Sequence, residues 1–188
     1  MSSELAGGPF GGHVNFQKQR VEGRVYLPSI LTAFTTMLRA RGGWIGQFGI
    51  DSNNLQPVPE YERFRLGGGS TVDPLRGYDD YTVVPSKFNY FYQGTHVRYP
   101  GGRFFTSYTM EQQFPIVHPL HGVVFADAGN TWDQWEEIQP FKLKIGAGIG
   151  FRIEIPLLGN IGFDYGYGFN RDDSPRAVGH FLLGNFNF

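Results

Sequence analysis

The last third of the chain alternates apolar residues with polar residues or glycine. Between residues 141 and 155 every second residue is apolar, and the residues in between are glycines or charged residues. Residues 161–169 repeat the pattern with aromatic residues on the apolar parity. Because successive side chains of a β-strand point to opposite faces, this period of two predicts two strands, each with one continuous apolar face. Residues 156–160 form the short turn between them.

The same alternation, less regular, predicts further strands upstream. Residues 103–114 alternate clearly. Residues 121–132 contain a stretch, residues 123–129, that is apolar on both faces except at Asp127. Residues 31–48 predict a strand whose inner face carries arginines. In residues 13–27 the apolar parity changes near Lys18, which predicts a β-bulge or an interfacial half-strand. With the terminal segment this makes seven strands, and an even number requires an eighth, either in the N-terminal tail or at residues 88–92.

Strand length and connection length together indicate a membrane barrel. The apolar faces are long enough for a lipid band of about 25 Å, and short connections alternate with longer ones, as in outer-membrane barrels. The mean hydropathy is −0.28, and no apolar run approaches the roughly 18 residues of a membrane helix. We therefore predict an all-β fold, an antiparallel transmembrane β-barrel with seven to eight strands per chain.

Composition narrows the class of protein further. The net charge of −1 gives no bulk attraction to nucleic acid, and 16% aromatic residues with 27 glycines are unusual for a soluble domain of 188 residues. The absence of cysteine says little about the compartment. The chain begins without the basic and apolar regions of a secretory signal, so we expect a mature form or part of a longer chain.

We predict two regions along the chain. Residues 1–12 form an N-terminal tail or loop, and residues 13–188 form the barrel domain. The domain includes a long extracellular loop at residues 49–102, and loops of this length in compact domains are usually functional.

One arginine in that loop needs a partner. Arg76 lies in a polar, glycine-rich stretch at residues 63–78 and is followed by Gly77 and Tyr78. A glycine-rich loop supplies backbone freedom but no apolar contribution, so we expect its order to come from surroundings that accept the charge of Arg76.

Four motifs in order resemble one family. They are Glu60-Tyr61-Glu62-Arg63-Phe64-Arg65-Leu66-Gly67-Gly68-Gly69, Leu75-Arg76-Gly77-Tyr78, Phe125-Ala126-Asp127-Ala128-Gly129-Asn130-Thr131-Trp132, and a terminal aromatic strand. Together they resemble the C-terminal barrel half of the BamA-type outer-membrane assembly superfamily, also called the bacterial surface antigen family. The resemblance covers residues 13 to 188 and implies a location in the bacterial outer membrane.

The resemblance implies a role for the loop tip. In that family the tip folds back into the lumen and binds acidic residues of the wall, so Arg76 is expected to pair with Asp127 and Glu111. Both carboxylates fall on the inner parity of their strands. The chain departs from the most familiar pattern, in which valine directly precedes Arg-Gly, because residues 72–75 intervene. The terminal strand resembles the C-terminal insertion signal of such barrels through Leu182, Gly184, Phe186 and Phe188.

The long loop also bears on assembly. The full barrel of the family has sixteen strands and is preceded by POTRA domains, and we expect this chain to contain neither its first half nor those domains. An eight-stranded barrel holds only side chains inside. If the loop folds inward, the chain must pair with a second copy of itself or a complementary barrel half, and we expect a homodimer that completes sixteen strands.

Two classes of function follow. The first is assistance in the insertion or folding of outer-membrane proteins, in which unfolded clients pair with a weak barrel seam. The second is a membrane-anchoring or structural barrel, or a protein-translocating pore, without insertase activity. We predict no catalytic residues, no metal and no cofactor. His118 and His121 straddle a proline-containing turn, and residues 146–150 lie within a strand rather than before a helix.

Overall fold

The described chain contains ten β-strands, three short 3-10 helices (Glu60–Glu62, Ser86–Phe88 and Trp135–Glu137) and the loops between them. The structure is a computed structural model and describes residues 1–7, 14–28, 34–48, 58–155 and 159–184. The strands are β1 (Ser2–Ala6), β2 (Phe16–Pro28), β3 (Thr35–Gln47), β4 (Asn89–Tyr92), β5 (Thr95–Arg98), β6 (Phe104–Val117), β7 (Leu120–Trp132), β8 (Lys144–Ile155), β9 (Gly159–Gly168) and β10 (Arg176–Gly184). Phe186 and Phe188 of the predicted C-terminal signal lie outside the described residues.

Eight of the strands form one antiparallel sheet. Their order is β1-β2-β3-β6-β7-β8-β9-β10, and β4 and β5 form a separate hairpin within the long loop. Across the described residues, β1 and β10 each pair with a single neighbour, so the sheet has two open edges. The described chain contains no helix long and apolar enough to cross a membrane. The predicted all-β antiparallel fold is confirmed.

The two faces of the sheet differ as the alternation predicts. On β8 and β9 the odd-numbered apolar residues are exposed or partly exposed, among them Ile149 (63%) and Tyr165 (54%). The even-numbered residues include the buried Arg152 and Asp164, the latter fully inaccessible. The long loop covers this second face, which we call the inner face; the apolar face is the outer face. The predicted phases of both strands are confirmed.

The predicted β-bulge or half-strand near Lys18 is wrong. Strand β2 pairs with β3 in unbroken register, from Phe16 opposite Gln47 to Pro28 opposite Thr35. Phe16 belongs to the inner face, because the loop buries its ring there, whereas Val21 is exposed on the outer face. The apolar parity changes along β2 because Phe16 packs into a core shared with the loop. The next inner-face residues, Lys18 and Arg20, form ion pairs with Glu62 and Asp73 of the loop.

The eighth strand comes from the N-terminal tail. Ser2–Ala6 pairs with Phe16–Arg20 of β2, whereas Asn89–Tyr92 pairs with Thr95–Arg98 outside the main sheet. Strand β1 shows no alternation in sequence because nearly all of its residues are exposed, so neither face requires apolar side chains.

The long loop has an apolar core of its own, so the expectation that it contributes no apolar burial is wrong. Leu66 and Leu75 are fully buried, and isolated bridges pair Phe64 with Gly102 and Leu66 with Val83. The core joins loop and wall residues: Phe16, Ile45, Val58, Phe64, Leu66, Leu75, Tyr78, Val83 and Phe105. Hydrophobic burial between the loop and the inner face therefore contributes to the order of the loop independently of its charged contacts.

Replacing Leu66 with alanine should loosen the loop. The loss of a fully buried leucine costs about 2–5 kcal/mol of the free energy of unfolding, and it should also speed protease cleavage within residues 58–102. Urea unfolding in lipid vesicles and limited proteolysis measure the two effects. Val72→Ala is the matched control, since Val72 is an exposed apolar residue of the same loop. Equal changes in both variants would contradict a buried loop core.

Candidate functional site

Four consecutive strands direct charged side chains at the loop tip. Glu111 lies on β6, Asp127 on β7, Arg152 on β8 and Asp164 on β9, all on the inner face and all buried. Arg76, in the loop, reaches into the space between them and is 5% exposed. The site is therefore a buried charge cluster shared by the loop and the wall.

Arg76 uses its whole guanidinium group in this cluster. Its Nε and Nη2 atoms donate to the two carboxylate oxygens of Asp127 at 2.7 and 3.0 Å. Its Nη1 atom donates to Glu111 at 2.6 Å and to Asp164 at 3.0 Å. The backbone N–H of Arg76 also donates to Asp127 at 3.1 Å. The structure thus brings together Arg76, Asp127 and Glu111, the three residues that the sequence placed at this site, in the bidentate geometry that only arginine provides.

An aromatic ring completes the contact. The Arg76 guanidinium carbon lies 3.6 Å from the centroid of the Phe125 ring, which belongs to the same strand as Asp127. A guanidinium over an aromatic face gains cation–π attraction while its edges remain available for hydrogen bonds.

Two members of the cluster were not predicted from sequence. Arg152 donates from Nη2 to Asp164 at 2.9 Å and lies 3.8 Å from Glu111, so two arginines face three carboxylates. The signal was available, because Asp164 and Arg152 are charged residues on inner parities otherwise rich in glycine. Their pairing depends on the alignment of β8 and β9, in which Asp164 lies opposite Gly150 and Arg152 opposite Gly162.

Glycine in the wall admits the loop backbone. A Cβ atom at Gly146 would lie 2.0 Å from the carbonyl oxygen of Arg76, so any larger residue would displace the tip. Gly77 has a φ of +89°, and a side chain there would lie 2.8 Å from the backbone nitrogen of Gly168. The inner glycines of β8 and β9 therefore form the surface on which Arg76 and Gly77 lie.

The residues on either side of Arg76 are also bound. The N–H of Gly77 donates to Nε2 of His180 on β10 at 3.1 Å, and Arg171 donates to the Gly77 carbonyl at 2.7 Å. The hydroxyl of Tyr78 lies 3.1 Å from the Ile145 carbonyl and 2.7 Å from Asn170 Oδ1. Burial raises the pKa of Tyr78 to about 12, so its hydroxyl stays protonated at neutral pH.

Just beyond the tip, exposed carboxylates pair with Arg171. Hydrogen bonds from Arg171 lower the pKa of Asp173 well below its usual range. Burial alone would raise the pKa of Asp79, but hydrogen bonds from Arg171 and Arg176 outweigh it and lower the pKa. Both carboxylates are therefore ionised at neutral pH and hold the loop to the connection before β10.

The additional segment before Arg76 has its own binding site. Asp73 is buried and accepts a hydrogen bond from Nη1 of Arg20 on β2 at 2.9 Å. Arg41 on β3 donates to the carbonyls of Val72 at 3.1 Å and Pro74 at 3.3 Å. The inner-face arginines of the first strands thus hold residues 72–74 and leave Arg76 free to reach its carboxylates.

The described part of the predicted terminal signal lies on β10. Leu182 is buried on the inner face against the loop, and β10 ends at Gly184. Phe181 and Leu183 are the exposed apolar residues of the outer face.

This fold and site define a class of protein. A sheet with an exposed apolar outer face, and a polar inner face that binds an arginine-tipped loop, is a wall segment of a transmembrane β-barrel. Residues 1–187 match the model of the Omp85 superfamily domain, so the chain belongs to the Omp85 superfamily. As a member of this superfamily, the chain is a protein of the bacterial outer membrane.

Two relatives locate the segment within longer chains. The chain is 29% identical over 169 residues to the outer membrane protein assembly factor BamA of Nitratidesulfovibrio vulgaris, covering 88% of this chain and 19% of that protein. It is similar, with a TM-score of 0.63 and 15% identity, to the crystal structure of BamA from Haemophilus ducreyi lacking POTRA domains 1–3, covering 95% of this chain and 40% of that one. The chain therefore spans about a fifth of the curated relative and corresponds to a BamA-type C-terminal barrel segment. The family is one of outer-membrane protein assembly factors rather than a class of enzymes.

Removal of Arg76 should destabilise the protein strongly. Arg76→Ala leaves three buried carboxylates with Arg152 as the remaining arginine of the cluster, which costs about 3–5 kcal/mol of the free energy of unfolding. Arg76→Lys should cost less but should not restore the wild-type value, because an ammonium group cannot bind Asp127 bidentately. Unfolding by urea in lipid vesicles gives the magnitudes.

A loop arginine in a surface pair provides the matched control. Arg98 lies 3.4 Å from Asp173 near the surface, so Arg98→Ala should cost no more than about 1 kcal/mol. Similar losses for Arg76→Ala and Arg98→Ala would show that the buried cluster is not what holds the loop.

Proposed function

We propose that this chain assists the insertion or folding of outer-membrane proteins by pairing an incoming strand with an open edge of its sheet. The observation that carries the proposal is the pair of open edges of a sheet whose inner face binds the loop. An edge strand presents unpaired N–H and C=O groups in the spacing that another strand requires, and β-augmentation supplies affinity through backbone hydrogen bonds. The process requires no cofactor and no covalent step.

The first edge lies along β2. Strand β1 covers only Phe16–Arg20, so within the described chain no strand pairs with residues 21–28 of β2 on that side. These eight residues are all exposed. The first edge is therefore formed by β1 beside residues 16–20 and by β2 itself over residues 21–28.

The second edge lies along β10, and the hydrogen-bond phase shows which residues face it. Phe169 N donates to Ile145 O, which identifies the odd-numbered residues of β9 as those that bond to β8. The even-numbered residues of β9 therefore bond to the even-numbered residues of β10. The odd-numbered residues of β10 direct their backbone groups to the open edge: Ala177, Gly179, Phe181 and Leu183.

An accelerated-folding assay tests the proposal. The chain, reconstituted in phosphatidylethanolamine and phosphatidylglycerol vesicles, should speed the folding of an unfolded eight-stranded barrel protein relative to empty vesicles. Ala177→Pro should reduce the acceleration, because it removes an edge-facing N–H while leaving the β9 ladder intact. The control is Val72→Ala, which alters an exposed loop residue away from the edge and should behave as wild type.

The outcome separates the two classes of function. Equal folding rates with and without the chain would favour a membrane-anchoring or structural barrel, or a protein-translocating pore. Acceleration that Ala177→Pro leaves unchanged would show that the β10 edge is not the pairing surface.

We also propose that the sheet completes its barrel with a second copy or a complementary barrel half. The loop fills the inner face of the eight strands, and an eight-stranded barrel has room inside only for side chains. The sheet therefore cannot close on itself around the loop, and edge-to-edge pairing of two such sheets gives a sixteen-stranded wall. Self-pairing of the isolated chain is the simplest form of this arrangement.

Native mass measurement in detergent tests self-pairing. We expect a two-chain complex in which residues 58–102 resist protease, because both the loop core and the paired edges are then protected. A monomer whose loop is cleaved readily would contradict the proposal. Arg76→Ala weakens the attachment of the loop to the wall but leaves the edges unchanged, so it shows how fast a loosened loop is cleaved.

A further inference from the structure

Two of the hydrogen bonds between the loop and the last strand involve adjacent residues, His180 and Phe181. The N–H of Gly77 donates to the His180 side chain on the inner face. The hydroxyl of Ser70 donates to the backbone carbonyl of Phe181 at 2.7 Å. The second contact differs in kind, because it engages the backbone of β10 rather than a side chain.

The Phe181 carbonyl is one of the groups that an incoming strand needs. Phe181 lies opposite Phe163 of β9, an odd-numbered residue that bonds to β8. The Phe181 carbonyl therefore points to the open edge, where an added antiparallel strand would donate an N–H to it. The Ser70 hydroxyl occupies this acceptor.

Ser70 is held at this position by its neighbours. A Cβ atom at Gly69 would lie 2.7 Å from Cβ of His180, so the loop backbone lies directly against β10. The hydroxyl of Thr71 donates to the Gly67 carbonyl at 2.5 Å, and Leu75 N donates to the Gly68 carbonyl at 3.1 Å. The turn that carries Ser70 is thus internally hydrogen-bonded.

We propose that Ser70 is a guard residue of the β10 edge, a specificity determinant that an incoming strand must displace before it pairs past Phe181. The inference rests on the proposed function, because it assigns a control element to the same edge. Segments that pair weakly do not displace the hydroxyl, whereas segments that form a full ladder along residues 177–183 do. The loop thereby holds the edge closed to short or poorly matched strands.

The guard should set the rate of strand capture. Removing the Ser70 hydroxyl removes one hydrogen bond that the chain makes before a strand binds. The loss of that bond corresponds to roughly two- to tenfold faster capture. The probe is a fluorescent peptide with the sequence of residues 176–184, added to the full chain in phosphatidylethanolamine and phosphatidylglycerol vesicles. Ser70→Ala should capture the peptide faster than wild type by this factor. Ser70→Thr, which keeps the hydroxyl, should match wild type.

A control variant and a spectroscopic measurement make the test independent of folding. Ser86→Ala alters an exposed serine of the same loop away from β10 and should capture the peptide at the wild-type rate. With a carbon-13 label at the Phe181 carbonyl, introduced by semisynthesis, the carbonyl stretch should move to higher frequency in Ser70→Ala and remain unchanged in Ser70→Thr.

Each outcome decides the proposal. Capture by Ser70→Ala at or below the wild-type rate, an unshifted carbonyl stretch, or no capture by any variant would overturn the guard role. If wild type accelerates barrel folding while Ser70→Ala captures no faster, only the guard fails. If Ser70→Ala captures faster and wild type accelerates nothing, the guard stands and the proposed insertion function fails.

Discussion

The structure depends on the burial of one positive charge. Arg76 is taken from water into a position where it can be stable only if carboxylates surround it, and the wall supplies them from three strands. Because the partners come from β6, β7 and β9, the pairing requires that all of these strands be in register and that the loop reach one depth. Buried ion pairs add little net stability over apolar contacts, so the cluster is best understood as a device that specifies a single arrangement.

Apolar packing and glycine make that arrangement possible. The core around Leu66 and Leu75 supplies the hydrophobic burial that charge pairing cannot, and it holds both ends of the segment that carries Arg76. Gly146 then allows the loop backbone to approach the wall to within contact distance. Hydrophobic burial holds the loop against the inner face, glycine in the wall allows the close backbone approach, and the charge cluster fixes the position of the loop. None of the three contributions would define this arrangement alone.

Alternation along the strands was enough to predict most of the sheet and part of the site. It placed β8 and β9 correctly and put Asp127 and Glu111 on the inner face, because side-chain parity is a local property of a strand. It failed at β2, where one inner residue, Phe16, packs into the loop core while Lys18 and Arg20 pair with loop carboxylates. It also gave no sign of β1, whose residues are exposed on both faces. The place of Asp164 and Arg152 in the cluster was not predicted for a different reason. Parity shows which face a residue occupies but not which residues of other strands lie beside it.

The same loop serves the centre and the edge of the sheet in opposite ways. At the centre its contacts are buried and ionic, so they exchange little with solvent and keep the wall fixed. At β10 its contacts include a neutral hydrogen bond to a backbone carbonyl, which an incoming strand can replace with its own N–H. Under the proposed function, the buried ionic contacts at the centre keep the wall folded, and the neutral contact at Phe181 can be exchanged for a partner strand. One loop that crosses the inner face from Asp127 to Phe181 provides both kinds of contact.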